Sequence, residues 1–128
     1  MEKELLNTFD KKLLLKDLCA RLPYGLKVKC EKYSFPVTIL YSGNTDEVKF
    51  IETGGIENIC AIKPYLFPLS SMTEEQSKVY HELINGMFGT SALINFEVLT
   101  DFFNSNHLDY RGLIKRGLAI DATGLNIY

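Results

Sequence analysis

The sequence predicts an α+β fold: an N-terminal helix, a mainly antiparallel sheet of about four strands, then a C-terminal group of three helices. Three observations carry this. Between Leu26 and Ile62, apolar residues alternate with polar ones or come in short β-branched runs bounded by turn formers. On either side of that stretch they recur at helical spacing. The strands form one run and the later helices another, the pattern of α+β chains and not of alternating α/β chains. At 128 residues the chain has room for one domain, spanning 1–128, and no internal repeat or linker interrupts it.

The first helix is expected from Lys11 to Leu22, capped by Asp10, with Leu14, Leu15, Leu18, Cys19 and Leu22 on one face. Leu5, Leu6, Phe9 and Leu13 make a second stripe pointing nearly the other way, which calls for a break near Asp10 or burial on two sides. Pro23 and Gly25 end the helix. Leu26, Val28 and Cys30 alternate with Lys27, Lys29 and Glu31, the signature of a half-buried strand. Val37 to Tyr41 and Val48 to Ile51 make two more, joined as a hairpin through Ser42-Gly43-Asn44-Thr45-Asp46. Ile59 to Ile62 is a short fourth strand. The short connections favour antiparallel pairing.

Lys63 to Met72 carries Pro64 and Pro68 and reads as an extended crossover, neither ordinary strand nor helix. Thr73-Glu74-Glu75-Gln76 is a capping box opening a helix whose apolar face is Val79, Tyr80, Leu83, Ile84, Met87 and Phe88. Gly86 and Gly89 limit its end. Ser91 caps a third helix from Ala92 to about Asn104, packed through Leu93, Phe96, Leu99 and Phe103. Asp109 is expected to start a short helix ending near Gly117, and Leu118 to Ile120 to form a last strand at the sheet edge.

Composition narrows the function classes. Fourteen basic residues face 16 acidic ones, a net charge of −2, which argues against a broad grip on a phosphate backbone. Residues 1–35 carry a net charge of +3 and residues 36–128 a net charge of −5, a polarity that suits either a protein–protein surface or a small basic patch. Cys19, Cys30 and Cys60 are too far apart for a CxxC pair and sit in apolar settings, so they read as reduced core thiols of a cytosolic protein. The N-terminus has no apolar leader segment, and no stretch reaches the roughly 20 apolar residues that span a bilayer.

Few groups point to chemistry. The sequence has no GxSxG elbow, GxGxxG loop or phosphate loop. No two Cys or His residues lie within four positions of each other, which removes the paired spacing of a zinc site. His107 and Asp109 have the spacing of a general-base pair, although Asp109 also suits a cap and His107 a packing position. Glu74, Glu75 and Glu82 suggest paired carboxylates, with Glu75 and Glu82 two turns apart on one face, but the first-turn helix dipole already explains Glu74 and Glu75. Lys11, Lys12, Lys16, Lys27, Lys29 and Lys32, with Tyr24 and Tyr33, offer a basic aromatic patch of the kind that binds single strands, or a solvated sheet face. The segment from Lys63 to Leu69 displays Tyr65, Leu66, Phe67 and Leu69 on a Pro-stiffened backbone, a strip suited either to cover the sheet edge or to anchor a partner. Alternation there predicts a buried Leu66 between partly exposed Tyr65 and Phe67.

Three stretches together resemble a known group: Lys16 to Gly25, Ile62 to Thr73, and Asp109 to Ile114 with Gly117-Leu118-Ala119. They are similar to small proteins of Bacteroides-type gut bacteria, their phages and mobile elements. That group carries no assigned activity or catalytic residue, so the resemblance implies a bacterial cytoplasmic setting and a phage connection, and no functional site.

The expectation is a non-enzymatic cytoplasmic accessory protein that binds another protein. Lys63, Tyr65, Phe67, His107, Tyr110 and Arg111 are its candidate partner-binding residues. The alternative is a nucleic-acid-binding regulator; a third option is a small metal-free enzyme using His107 and Asp109. No cofactor, metal or membrane association is expected.

Overall fold

Helix α1 (Thr8–Arg21) begins where Asn7 turns the chain, in a computed structural model that describes residues 6–42, 47–86 and 92–128. The Asn7 side chain accepts the Asp10 N–H at 2.8 Å, so Asn7 is the cap expected of Asp10. Asp10 instead lies in the first turn, where its charge suits the positive end of the helix dipole. The earlier start removes the need for a break at Asp10. Leu6 precedes the helix, Leu14 and Leu18 are fully buried, and Phe9 is left 61% exposed. Cys19, expected in the core, is exposed, because it lies a helical step off the Leu14–Leu18 line. A short 3-10 turn over Leu22–Tyr24 follows, closed by Gly25 at φ 66°.

The sheet has six strands where about four were expected: β1 (Lys27–Cys30), β2 (Val37–Ser42), β3 (Glu47–Phe50), β4 (Ile56–Asn58), β5 (Ile62–Leu66) and β6 (Ile120–Asp121). Their spatial order is β4-β3-β2-β1-β5-β6, antiparallel throughout except for the β5–β6 pair. The β2–β3 hairpin forms as expected, although its turn at 43–46 lies outside the described residues. Alternation sorts the two faces. Val28, Cys30, Val37, Ile39, Val48, Phe50, Ile62 and Leu66 join Leu14 and Leu18 of α1 in one buried core, while Lys29 and Lys63 stand exposed on the outer face.

Two corrections concern the middle of the chain. Ile59–Ala61 is a 3-10 turn between β4 and β5, not a strand; the Asn58 side chain caps it by accepting the Cys60 N–H. The Pro64 segment is a strand in the interior of the sheet, not a crossover. Leu66 C=O accepts the Ala122 N–H at 2.8 Å, so alternate peptide groups of β5 turn towards β6, and the absent N–H of Pro64 faces that side. β6 has two residues and pairs from Tyr65 onwards, so Pro64 takes no rung from the ladder with β1.

Helix α2 (Glu74–Gly86) opens on the expected capping box. Thr73 Oγ1 accepts the Gln76 N–H at 3.1 Å, and Gln76 Oε1 accepts the Thr73 N–H at 3.0 Å. It packs on α3 (Ala92–Ser105); the expected cap Ser91, along with Met87, Phe88 and Gly89, lies outside the described residues. Leu99 and Phe103 of α3 form a second, smaller core with Leu108, Phe67, Met72, Tyr80 and Leu83. Phe96, expected to pack with them, is 59% exposed, because it lies on the same stripe one turn beyond the covered end.

The expected third C-terminal helix is absent. Residues 109–117 run as turns, broken by Gly112 at φ 74° and Gly117 at φ 77°, and β6 follows at the sheet edge. Among the described residues, no helix is long and apolar enough to cross a membrane.

Candidate functional site

The densest gathering of polar side chains lies between α1 and residues 103–111. Asp17 and Arg21 are one helical turn apart on the buried face of α1, and neither side chain is exposed at all. Arg21 Nε donates to Asp17 Oδ2 at 2.9 Å and Nη2 to Oδ1 at 3.1 Å, a two-pronged grip. The same guanidinium donates from Nη2 to Leu108 C=O at 2.6 Å and from Nη1 to Phe103 C=O at 3.5 Å. It thereby ties α1 to the end of α3 and to the turn that follows. Arg111 Nη1 adds a second cation on Asp17 Oδ1 at 2.9 Å.

Tyr110 lies between these charges. Its ring centroid is 4.5 Å from the Arg111 guanidinium carbon and 5.5 Å from that of Arg21. Its ring also stacks on Phe103, with centroids 5.0 Å apart. Flat cations on an aromatic face keep favourable contacts where water is excluded.

His107 is buried in the left-handed region at φ 57° and lies face to face with Tyr128. Burial, and after it the positive charge of Arg21, pushes the imidazole pKa down to about 4, so the ring is neutral at neutral pH. Asp109 does not reach it. Both Asp109 carboxylate oxygens are taken by backbone donors, Leu113 N–H at 2.8 Å and Ile114 N–H at 2.9 Å, and His107 Nδ1 has no hydrogen-bond partner. The structure therefore places Asp109 as a cap of the turn after it and His107 as a packing residue.

The two sequence-picked segments do come together. Phe67 N–H donates to His107 C=O and Asp109 N–H donates to Phe67 C=O, both at 2.8 Å, in an isolated parallel bridge. Yet they meet as interior backbone and not as a surface. Tyr65, expected to be partly exposed, is only 8% exposed, and Phe67 is half-buried; Leu66 is buried as expected. The end of the chain packs on Phe67 and bonds to the Tyr65 backbone. Tyr128 packs its ring 6.0 Å from that of Phe67. Its hydroxyl accepts the Lys27 N–H at 3.0 Å and donates to Tyr65 C=O at 2.8 Å, while Lys27 Nζ donates to Ile127 C=O at 3.0 Å. Of the six expected contact residues, only Lys63 is exposed; Tyr110 and Arg111 are half-buried in the polar cluster.

The expected basic patch divides between two layers. Lys12 and Lys16 are exposed on α1, whereas Lys29 stands on the opposite face of the sheet, and Tyr33 packs against the core. The residues missed in the sequence are Asp17, Arg21 and Tyr128. Only the placement of Asp17 and Arg21 on the Leu14–Leu18 face could have signalled that they are buried. Among the described residues, no three His, Cys, Asp or Glu side chains converge on a metal position. No protein-family profile, curated protein or solved structure matches the chain.

Proposed function

We propose that this is a non-enzymatic accessory protein of a Bacteroides-type bacterium or its phage, acting in the cytoplasm by binding another protein. The supporting observation is the division of labour between buried and exposed groups. The side chains best suited to acid–base or anion chemistry are occupied within the fold: Asp17, Arg21 and Arg111 join α1 to the C-terminal residues, Asp109 caps the turn after it, and His107 stacks on Tyr128. Apolar side chains on the α2–α3 pair are instead offered to water: Phe96 at 59%, Val98 at 43% and Val79 at 41% exposure. The same pair carries Glu74, Glu75, Glu82, Glu97 and Asp101 against the single cation Lys78. Phe96 and Val98 lie on different faces of α3, and a partner with an apolar pocket for Phe96 and a basic rim complements the Phe96 side of the pair.

The protein is immobilised, exposed to nuclease-treated lysate of a Bacteroides-type host, and the retained protein is purified and rebound. One stoichiometric partner is expected, lost on Phe96→Ser with the melting temperature of the variant unchanged. Retention of nucleic acid alone, or a partner indifferent to Phe96→Ser, would favour the nucleic-acid or another surface over the one named.

A further inference from the structure

We infer a second site: a phosphate-binding hollow on the outer face of the sheet, gripped by Lys29 and Lys63. The two lysines are direct cross-strand partners in the β1–β5 ladder, and both are exposed. Like charges placed opposite one another on a sheet repel and destabilise the pair. Their register is nevertheless fixed, because Val28, Cys30 and Ile62 on the other face must all enter the core. Among the described residues, neither lysine has an ion-pair partner. No direct ion pair offsets the repulsion, one carboxylate nearby balances at most one of the two charges, and a doubly charged anion bridging the two ammonium groups relieves the rest.

A place for that anion exists. Lys29 and Lys63 line a hollow of about 210 Å³ together with Cys60, Ala61, Ile62 and Ile120, with Glu31 as its one carboxylate. Two cations against one anion leave the lining positive. The volume admits a phosphate with a small substituent but not a folded chain, and the Ile120 and Cys60 walls offer apolar contact to that substituent. Lysine serves as a mobile point charge with three donors, suited to a phosphate approached from several directions. The ligand class is accordingly a phosphate monoester of a small molecule, with inorganic phosphate as its minimal form. This site is independent of the protein-binding surface on α2 and α3.

The test titrates inorganic phosphate, and then glycerol phosphate, into the 15N-labelled full chain at constant ionic strength set with chloride. Saturable shifts confined to residues 29–31 and 60–63 are expected, with glycerol phosphate binding at least as tightly as inorganic phosphate. Lys29→Gln with Lys63→Gln should weaken both at least tenfold while leaving the remaining amide spectrum in place, since both side chains are exposed. Linear, unsaturating shifts spread over all lysines, or a double variant that binds like the wild type, overturn the site. Binding of single-stranded DNA through these lysines without saturable binding of either small phosphate overturns it too, in favour of a nucleic-acid surface.

Discussion

The ring of His107 lies flat against that of Tyr128, with centroids 3.7 Å apart and planes 10° from parallel. This stack joins the turn after α3 to the residue that bridges β1 and β5 through its hydroxyl. It also leaves the imidazole in surroundings that accept it only when neutral, between burial on one side and the Arg21 cation on the other.

The burial of His107 beside Arg21 makes stability depend on pH. His107 titrates near its ordinary value in the unfolded chain and at about 4 in the folded one. Between those values the unfolded state binds a proton that the folded state refuses, so stability is complete above the unfolded value and falls on acidification. Lowering the pH from 7 to 5 should cost about 1–2 kcal/mol through this residue. His107→Asn keeps a side chain tolerant of the left-handed backbone and removes the titration. Urea unfolding at both pH values should show a smaller acid loss in the variant, and equal losses would mean that His107 titrates alike in both states.

Arg21 and Arg111 both bind Asp17, but their removal should not cost the same. Arg21→Leu leaves a fully buried carboxylate with one of its two partners and strips the donor from Leu108 C=O; a loss of about 3–5 kcal/mol is expected. Arg111→Leu leaves the Asp17–Arg21 grip intact and removes a partly exposed bond to a charged group, for about 2 kcal/mol. Equal losses in denaturant would show that Asp17, and not the tie from α1 to Leu108, carries the cluster.

What the sequence discloses here follows the range of each interaction. The Thr73–Gln76 box and the Val28–Cys30 alternation are local, so their residues announce them without help from the rest of the chain. Pro64 looks like a strand breaker until a two-residue β6, supplied from 56 residues further along, shows which side of the strand its absent N–H faces. Asp17 and Arg21 have the spacing of an ordinary surface helix pair; they share the Leu14–Leu18 face, but the partners that make burial tolerable there, the carbonyls of Phe103 and Leu108 and the Arg111 guanidinium, are distant in sequence. Tyr65 and Phe67 read in the sequence as a strip, but no periodicity encodes that Tyr128 packs on Phe67 and bonds to the Tyr65 backbone.

The capping box gives a local test. Thr73→Ala removes the acceptor of the Gln76 N–H at an exposed helix start and should cost about 1 kcal/mol, without changing the dependence on denaturant. A cost below a few tenths would mean that the reciprocal Gln76-to-Thr73 bond suffices alone.

The three thiols should label in an order set by burial. Cys19 is exposed, Cys60 half-buried and Cys30 buried in the core. A thiol reagent added to native protein should modify Cys19 first, Cys60 more slowly, and Cys30 only on unfolding. Mass analysis of peptides from a timed reaction reads this directly, and early labelling of Cys30 would contradict the placement of β1.

The Tyr65–Phe67 strip decides between surface and core. Tyr65 is 8% exposed, so Tyr65→Ala removes a covered ring and should cost about 3 kcal/mol. Phe67 is half-buried against Leu108 and Tyr128, and Phe67→Ala should cost about 1 kcal/mol, because its backbone bridge to His107 and Asp109 survives the change. The double variant should therefore unfold at a clearly lower urea concentration than the wild type. It should also loosen the end of the chain, since Tyr128 loses one of the two rings it packs on and keeps His107, and limited proteolysis should then remove the residues after Ala122 faster than in the wild type. If the double variant keeps the wild-type midpoint and the wild-type cleavage rate, the two rings are free of the chain's end, and the strip returns to being a surface for a partner.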